Sequence, residues 1–314
     1  MSQARGDGAR RRASNSRGSM PDLQPADSCS RLDPSVPHPA RVYGYWLGGK
    51  DHYPADREAA EEVMRRRPQV VAGARANRAF LARAVRYLAG ECGIRQFLDI
   101  GTGLPAPGST HEIAQAIAPH CRVVYVDNDP LVLTYARALL TSGPQGACDY
   151  VDADLHDTPT VLAGASWALD FDRPTAVLLL AVLHFVADTD DPAGIIATLA
   201  RQLAPGSYLA ISHLTADFAP GPVAAAVGAY TTLVPTPLVP RSHTQVSALF
   251  GGLPLVPPGV VPLTEWRPTP GPPPHQADLY AGLARVPGSR IVSPSRPACT
   301  RDQGVQSLLP TFGR

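Results

Sequence analysis

Short apolar runs set between amphipathic stretches organise this chain. Phe97-Leu98-Asp99-Ile100, Val123-Val124-Tyr125-Val126 and Thr175 to Leu183 each have the length of a strand. The last is apolar throughout, as expected of a strand covered on both faces. The pattern predicts strands near 96–100, 122–127, 147–151, 175–182 and 207–213. Between them it predicts helices over 110–118, 130–141, 158–166 and 191–203. Strands that alternate with helices imply parallel βαβ units. Upstream, 56–67 and 73–90 carry helical spacing, and Ala76, Phe80, Ala84 and Leu88 fall on one stripe of the second. These helices are expected to cap one entrance to the site. Beyond His213, the Ala- and Pro-rich 218–233 reads as a partly helical insertion, and Ser242 opens a capped helix towards Phe250. Leu255-Val256, Val260-Val261 and 278–286 are the closing strands, with a proline-rich loop over 268–275.

The strands end in acids, and this is where chemistry enters. Asp99 precedes the glycine turn Gly101-Thr102-Gly103; Asp127-Asn128-Asp129 follows the second strand; Asp154-Leu155 follows the third. In an α/β sheet such a unit sets the glycine turn beside the second acid at the carboxyl edge, where the acid can grip ribose hydroxyls. Gly101 to Ala106 satisfies the letters of a dinucleotide fingerprint. A pyrophosphate, however, needs free N–H groups at a helix start in the turn. Pro105 and Pro107 remove two such donors and delay the helix to about Thr110, and Asp99 repels phosphate. A cofactor with a cationic head fits better. S-adenosylmethionine has an ammonium for Asp99, a ribose for Asp127 and an adenine amine for Asp154.

Several longer stretches carry a family resemblance. Arg41 to Asp51 (RVYGYWLGGKD), Arg75-Ala-Asn77-Arg78-Ala-Phe-Leu, Phe97 to Pro105 (FLDIGTGLP), Val124 to Pro130 (VYVDNDP), Leu183-His-Phe-Val186 and Pro205-Gly-Ser-Tyr-Leu209 lie between about Pro39 and Arg285. Together they resemble a bacterial family of S-adenosylmethionine-dependent methyltransferases whose substrates are unassigned. The resemblance implies a Rossmann-like class I methyltransferase fold: an α/β, seven-stranded, mostly parallel sheet with an antiparallel last strand and an N-terminal helical cap. It also implies the cofactor, held around Asp99, Gly101, Thr102, Gly103, Asp127, Asn128, Asp154, Leu155 and Ala181.

Methyl transfer mainly requires that the acceptor be positioned and water excluded, so a general base is optional. His184, after the fourth strand, is the first candidate base and His213, ending the fifth, the second. Each has the alternative role of a core histidine bonded to backbone. Tyr43, Tyr45 and Trp46, interleaved with Gly44, Gly48 and Gly49, form either a lid over the cofactor or a strut packed on the sheet. Lys50 with Asp51 reads as a lid charge or an exposed ion pair, and Asn77 and Arg78 as contacts to cofactor carboxylate or substrate, or as a solvated helix face.

At 314 residues and 44% hydrophobic content, the chain can bury one large α/β core. Order is expected over 39–286, with the cap at 39–92 and disordered tails at 1–38 and 287–314. The Arg-rich first twenty residues lack an apolar region and are not a secretory signal. Five scattered cysteines without CxxC spacing argue for a reducing, cytoplasmic setting and against a zinc site. No apolar run reaches membrane-spanning length. With a formal net charge of +1 and no aromatic-basic interleaving in the ordered region, a small-molecule acceptor is expected rather than nucleic acid. Two other readings stay open: a regulatory protein that binds the cofactor without turnover, and an NAD-dependent oxidoreductase.

Overall fold

The computed structural model describes residues 32–139, 141–269 and 277–288. Of the expected tails, 1–31 and 289–314 lie outside the described residues, as does most of the proline-rich loop at 268–275; 32–38 lead into the first helix, with His38 as its N-cap. Three helices open the chain: α1 Pro39–Trp46, α2 Pro54–Arg66 and α3 Val70–Arg86, the last continuing into a π turn over Tyr87–Glu91. Proline stands at the first position of α1 and α2, where its missing N–H costs nothing. The alternating core then runs β1 Gln96–Ile100, α4 Thr110–Ile117, β2 Arg122–Asp127, α5 Pro130–Leu139, β3 Ala147–Asp152, α6 Thr158–Ala165, β4 Ala176–Leu180, α7 Pro192–Gln202 and β5 Tyr208–Leu214. It closes with α8 Pro220–Leu233, α9 His243–Ala248, β6 Val261–Pro262 and β7 Leu279–Arg285.

The strands form one sheet in the order β3-β2-β1-β4-β5-β7-β6. β1 to β5 pair in parallel, and β7 is inserted antiparallel to both β5 and β6. This is the Rossmann-like class I methyltransferase sheet, with the order reversing between β1 and β4. The anticipated sixth strand is shorter than its apolar letters suggest: Leu255-Val256 contributes a single bridge, Leu255 to Ala284. Pro254, Pro257 and Pro258 bracket it and cannot donate to a ladder.

Period-two burial divides the interior. Phe97, Val123, Tyr125, Ala176 and Leu178 face one side with Phe80 and Leu88 of α3 and its extension, while Leu98, Val124, Val126, Val177 and Leu179 face the other with Ile195 and Leu199 of α7. Trp266 is fully buried against Phe80 and Tyr87, and Arg83 donates to the Leu263 and Trp266 carbonyls, fixing the closing segment on α3. A third cluster joins Val42, Ala59, Ala60 and Val63 of the cap to Ala226, Tyr230 and Val234 of α8 and its end. The cap and the β5–β7 insertion therefore pack on each other across the carboxyl edge of the sheet. No helix among the described residues is long and apolar enough to cross a membrane.

Candidate cofactor cleft and adjoining cavity

β1 stops because Gly101 takes φ +72°, and its N–H bonds the Val126 carbonyl at 2.9 Å. A Cβ on Gly101 would stand 2.4 Å from Val182 Cγ2, so only glycine lets the turn pass the loop after β4. Gly103 takes φ +68° with nothing near its would-be Cβ, and its N–H donates to Asp127 Oδ2 at 2.8 Å. A cleft of about 390 Å³ opens here. Its wall includes Asp99, Gly101, Thr102, Gly103, Asp127 and Asn128. Asp154, Leu155, Ala181, Tyr43 and Arg78 complete the part of the lining that the sequence singled out.

Each acid has a distinct environment. Asp127 is buried and accepts from Gly103 N–H and Asp129 N–H, one on each oxygen, which leaves further lone pairs for hydroxyl donors. Burial raises its pKa, against the pull of those two N–H bonds. Asp99 accepts from Thr110 Oγ1 at 2.6 Å. Its pKa is pushed up to about 6, chiefly by burial and further by the charge of Asp127; Thr110 and Arg78 oppose the rise. At Asp154 burial also works upward, but hydrogen bonds from His156 and Asn128 outweigh it and hold the carboxyl below its ordinary value.

Two donors at the start of α4 are already taken: Glu112 Oε2 accepts from the N–H groups of Gly108 at 2.7 Å and Ser109 at 3.1 Å, which leaves fewer free donors for a phosphate there. Arg78 donates to the carbonyls of Ala106, Pro107 and Gly108, holding this proline-rich turn from above.

The aromatic segment divides between cleft and scaffold. Tyr43 lines the cleft, donates to the Ala74 carbonyl at 3.0 Å and accepts from Asn77 Nδ2 at 3.1 Å. Tyr45, by contrast, turns to Glu61 and His52, and Trp46 donates to the Ala60 carbonyl. Lys50 is exposed in the α1–α2 connection, and Asp51 stands near Tyr135, whose phenol pKa it raises. Tyr45 and Lys50 thus stand apart from the cleft lining. The glycines here serve packing: a Cβ on Gly44 would stand 3.0 Å from Leu104 Cδ1, and one on Gly49 would stand 3.0 Å from the Gly44 carbonyl.

The two histidines behave differently from free bases. His184 Nδ1 accepts from Leu214 N–H at 3.3 Å, which places the neutral ring's proton on Nε2. Burial, then the charges of His213 and Arg241, push its pKa well below the usual histidine value. His213 is wholly buried and lines neither the cleft nor the cavity described next. Its Nδ1 bonds the Leu214 carbonyl at 2.8 Å and Arg241 Nη1 donates to its Nε2 at 2.9 Å, so both nitrogens are engaged. The signal missed in the sequence was Arg241, an ordinary letter among nearly thirty basic ones, which also ties Leu183, Val186 and Asp188 together.

Asp129 likewise does more than begin α5. Its Oδ2 lies 3.1 Å from Arg41 Nε and 3.1 Å from His38 Nδ1, at ion-pair distance without aligned hydrogen bonds, while its Oδ1 accepts from Leu131 N–H. His38 and Pro39 thereby reach the cleft wall. Asp157 is the N-cap of α6, accepting from Thr160 N–H.

Behind the cleft lies a smaller apolar cavity of about 110 Å³. The two share Pro39, Tyr43, Ala181 and Phe185 as a common wall. Ala181 takes φ +56°, a conformation rare for a residue with a Cβ, and its N–H bonds the Ser212 carbonyl. Among the described residues, no group of three or more His, Cys, Asp or Glu side chains is arranged to hold a metal ion.

Comparison with known proteins agrees with the fold. A family model described as S-adenosyl methyltransferase matches residues 25–287. A solved DUF574 family protein from Streptomyces avermitilis is 45% identical, with a TM-score of 0.79, over 82% of this chain and 100% of that one. A solved candidate methyltransferase from Thermobifida fusca is 38% identical, with a TM-score of 0.74, over 81% of this chain and 96% of that one. No curated protein matches the sequence. The family model covers most of the chain, and the two structures align with about four-fifths of it; the chain belongs to the S-adenosyl methyltransferase family.

Proposed function

We propose that the protein binds S-adenosylmethionine in the cleft and transfers its methyl group to a small-molecule acceptor. The observation that carries this reading is the pairing of three strand-end carboxylates with a helix start where Glu112 already takes two donors. Such a cleft suits a cationic, phosphate-free nucleoside and opposes NAD. The residues present fit the group: Asp127 retains acceptor capacity for ribose hydroxyls, and Gly103 keeps the turn open beside it. Asp99 is assigned the ammonium, Arg78 the carboxylate, and Asp154 with Leu155 the adenine. When bound, the cofactor supplies a methyl group already activated by the sulfonium.

The chain's own task is then to hold the acceptor and keep water out. Tyr43 and Ala181, in the wall common to cleft and cavity, are placed for that positioning. His184 acts as a neutral N–H donor rather than a base, because its other nitrogen is engaged and its pKa lies low. His213 serves as scaffold. The acceptor's proton leaves to solvent or is absent from the start.

The same engaged histidines also favour a second reading, in which the cofactor is held without turnover. Incubation with methyl-labelled S-adenosylmethionine and a pool of small neutral molecules separates the two. Labelled product from the wild type, absent with Asp127→Ala, is expected; binding without any labelled product supports the regulatory reading.

A further inference from the structure

The apolar cavity behind the cleft has features of a ligand site that its packing leaves unexplained. Tyr230 is 1% exposed and lines it, yet its hydroxyl has no hydrogen-bond partner among the described residues. Buried hydroxyls are nearly always paired, so an orphan at a cavity wall marks where a missing partner belongs. The aromatic lining includes Tyr43, Trp46 and Phe185, and Phe185 stacks on Tyr230 with centroids 6.1 Å apart. The charged pair at the margin, Arg67 and Asp278, is satisfied within itself by bonds of 2.7 and 2.9 Å. A charged ligand would find no free counter-ion there. An apolar cavity of roughly 150 Å³ holds one benzene ring, so about 110 Å³ leaves room for no more than one ring.

We propose that this cavity is the acceptor subsite, and that it takes an uncharged, single-ring aromatic molecule whose one polar substituent hydrogen-bonds to the Tyr230 hydroxyl. The inference rests on the methyltransferase reading, because the shared wall of Tyr43, Ala181 and Phe185 is what brings such a ring to the cofactor cleft. The ring lies among Val223, Ala226 and Tyr230 on the α8 side and Val42, Val63 and Trp46 on the cap side. These two walls come from the cap and the β5–β7 insertion, while Ala181, His184, Phe185, Leu214 and Leu279 line the rest from the sheet and the loop after β4. Tyr230 is a specificity residue in this account: its hydroxyl holds the substituent, whose heteroatom forms the bond to the methyl carbon as the carbon–sulfur bond breaks, S-adenosylhomocysteine leaves and the substituent's proton passes to solvent.

Fluorine NMR with 4-fluorophenol, fluorobenzene and 4-fluorobenzoate as probes tests this on the full chain. Wild type should bind 4-fluorophenol at least tenfold more tightly than fluorobenzene, and 4-fluorobenzoate not measurably. Tyr230→Phe should remove the tenfold preference while leaving fluorobenzene binding and the melting temperature unchanged, because the hydroxyl has no partner to lose. Ala226→Phe and, as a milder filling, Val227→Phe should abolish binding of both neutral rings. S-adenosylhomocysteine titration of the wild type reads the cleft separately: no binding there while the neutral probes still bind overturns the methyltransferase reading and not the cavity. Absence of 4-fluorophenol binding to wild type, or binding undiminished in both filled variants, overturns the proposal.

Discussion

Ser212 Oγ donates to Asn77 Oδ1 at 2.6 Å, joining the end of β5 to the middle of α3. The other half of the Asn77 amide donates to the Tyr43 hydroxyl, so one buried side chain links sheet, cap helix and cleft wall. Asn77→Ala removes the acceptor of the buried Ser212 hydroxyl, while Tyr43 keeps its bond to the Ala74 carbonyl. A loss of about 1–3 kcal/mol in urea unfolding is expected. A double-mutant cycle with Ser212→Ala should return a coupling of about 1 kcal/mol. Additive effects would mean that the two side chains do not interact.

Arg41 is 4% exposed and stands between two carboxylates, 3.1 Å from Asp129 and 3.5 Å from Asp56. Removing one partner of a buried charge costs more than the pair contributes. Asp129→Ala is therefore expected to lose about 3–5 kcal/mol and to make the 32–53 segment an early site of proteolysis. Asp129→Leu combined with Arg41→Met should recover most of that loss. Limited digestion and thermal unfolding of the single and double variants check it.

Gly101→Ala combines an unfavourable φ with a clash against Val182. A loss of about 2–4 kcal/mol is expected, part of it recovered when Val182→Ala is added. An unchanged melting temperature would show that the turn passes the β4 loop with room to spare.

Asp99 predicts a pH dependence with a definite sign. Its folded pKa of about 6 lies above the ordinary value of 3.8, so the folded state holds the proton more tightly. That contribution to stability is complete below about pH 3.8 and is lost as pH rises through about 6. Asp99→Asn should consequently stabilise the ligand-free protein at pH 7, by up to about 3 kcal/mol. A bound ammonium reverses the balance, because it favours the carboxylate. Affinity for S-adenosylmethionine should fall as pH drops below about 6, and calorimetry there should show proton release, both absent in Asp99→Asn.

The sequence made the sheet legible because β4 is apolar on every residue and because Asp99, Asp127 and Asp154 each close a strand. The delay of α4 to Thr110 followed from Pro105 and Pro107. Other features depend on neighbours distant in the chain. The letters around Tyr45 and Lys50 resemble a lid, but Glu61, on α2, draws Tyr45 away from the cleft. His213 ends a strand at the right edge, yet its role is set by Arg241, 28 residues downstream. Asp129 sits where a helix cap belongs, and only the folded cap brings Arg41 and His38 to it. The apolar cavity has no local signature at all: its walls come from α1, α2, α3 and α8 together with β5, β7 and the loop after β4, and the bare hydroxyl of Tyr230 is visible only in three dimensions.

The claim on which the account turns is that the cleft is a S-adenosylmethionine site organised by Asp127. Isothermal titration of wild type and Asp127→Ala with S-adenosylmethionine, and with NAD in parallel, tests it directly. The account predicts saturable binding of S-adenosylmethionine, weakened about 100-fold or more in Asp127→Ala while the variant stays folded, and no binding of NAD; about 100-fold is the loss of two hydrogen bonds to a charged acceptor. Binding of NAD alone, or S-adenosylmethionine binding untouched by the substitution, would contradict it.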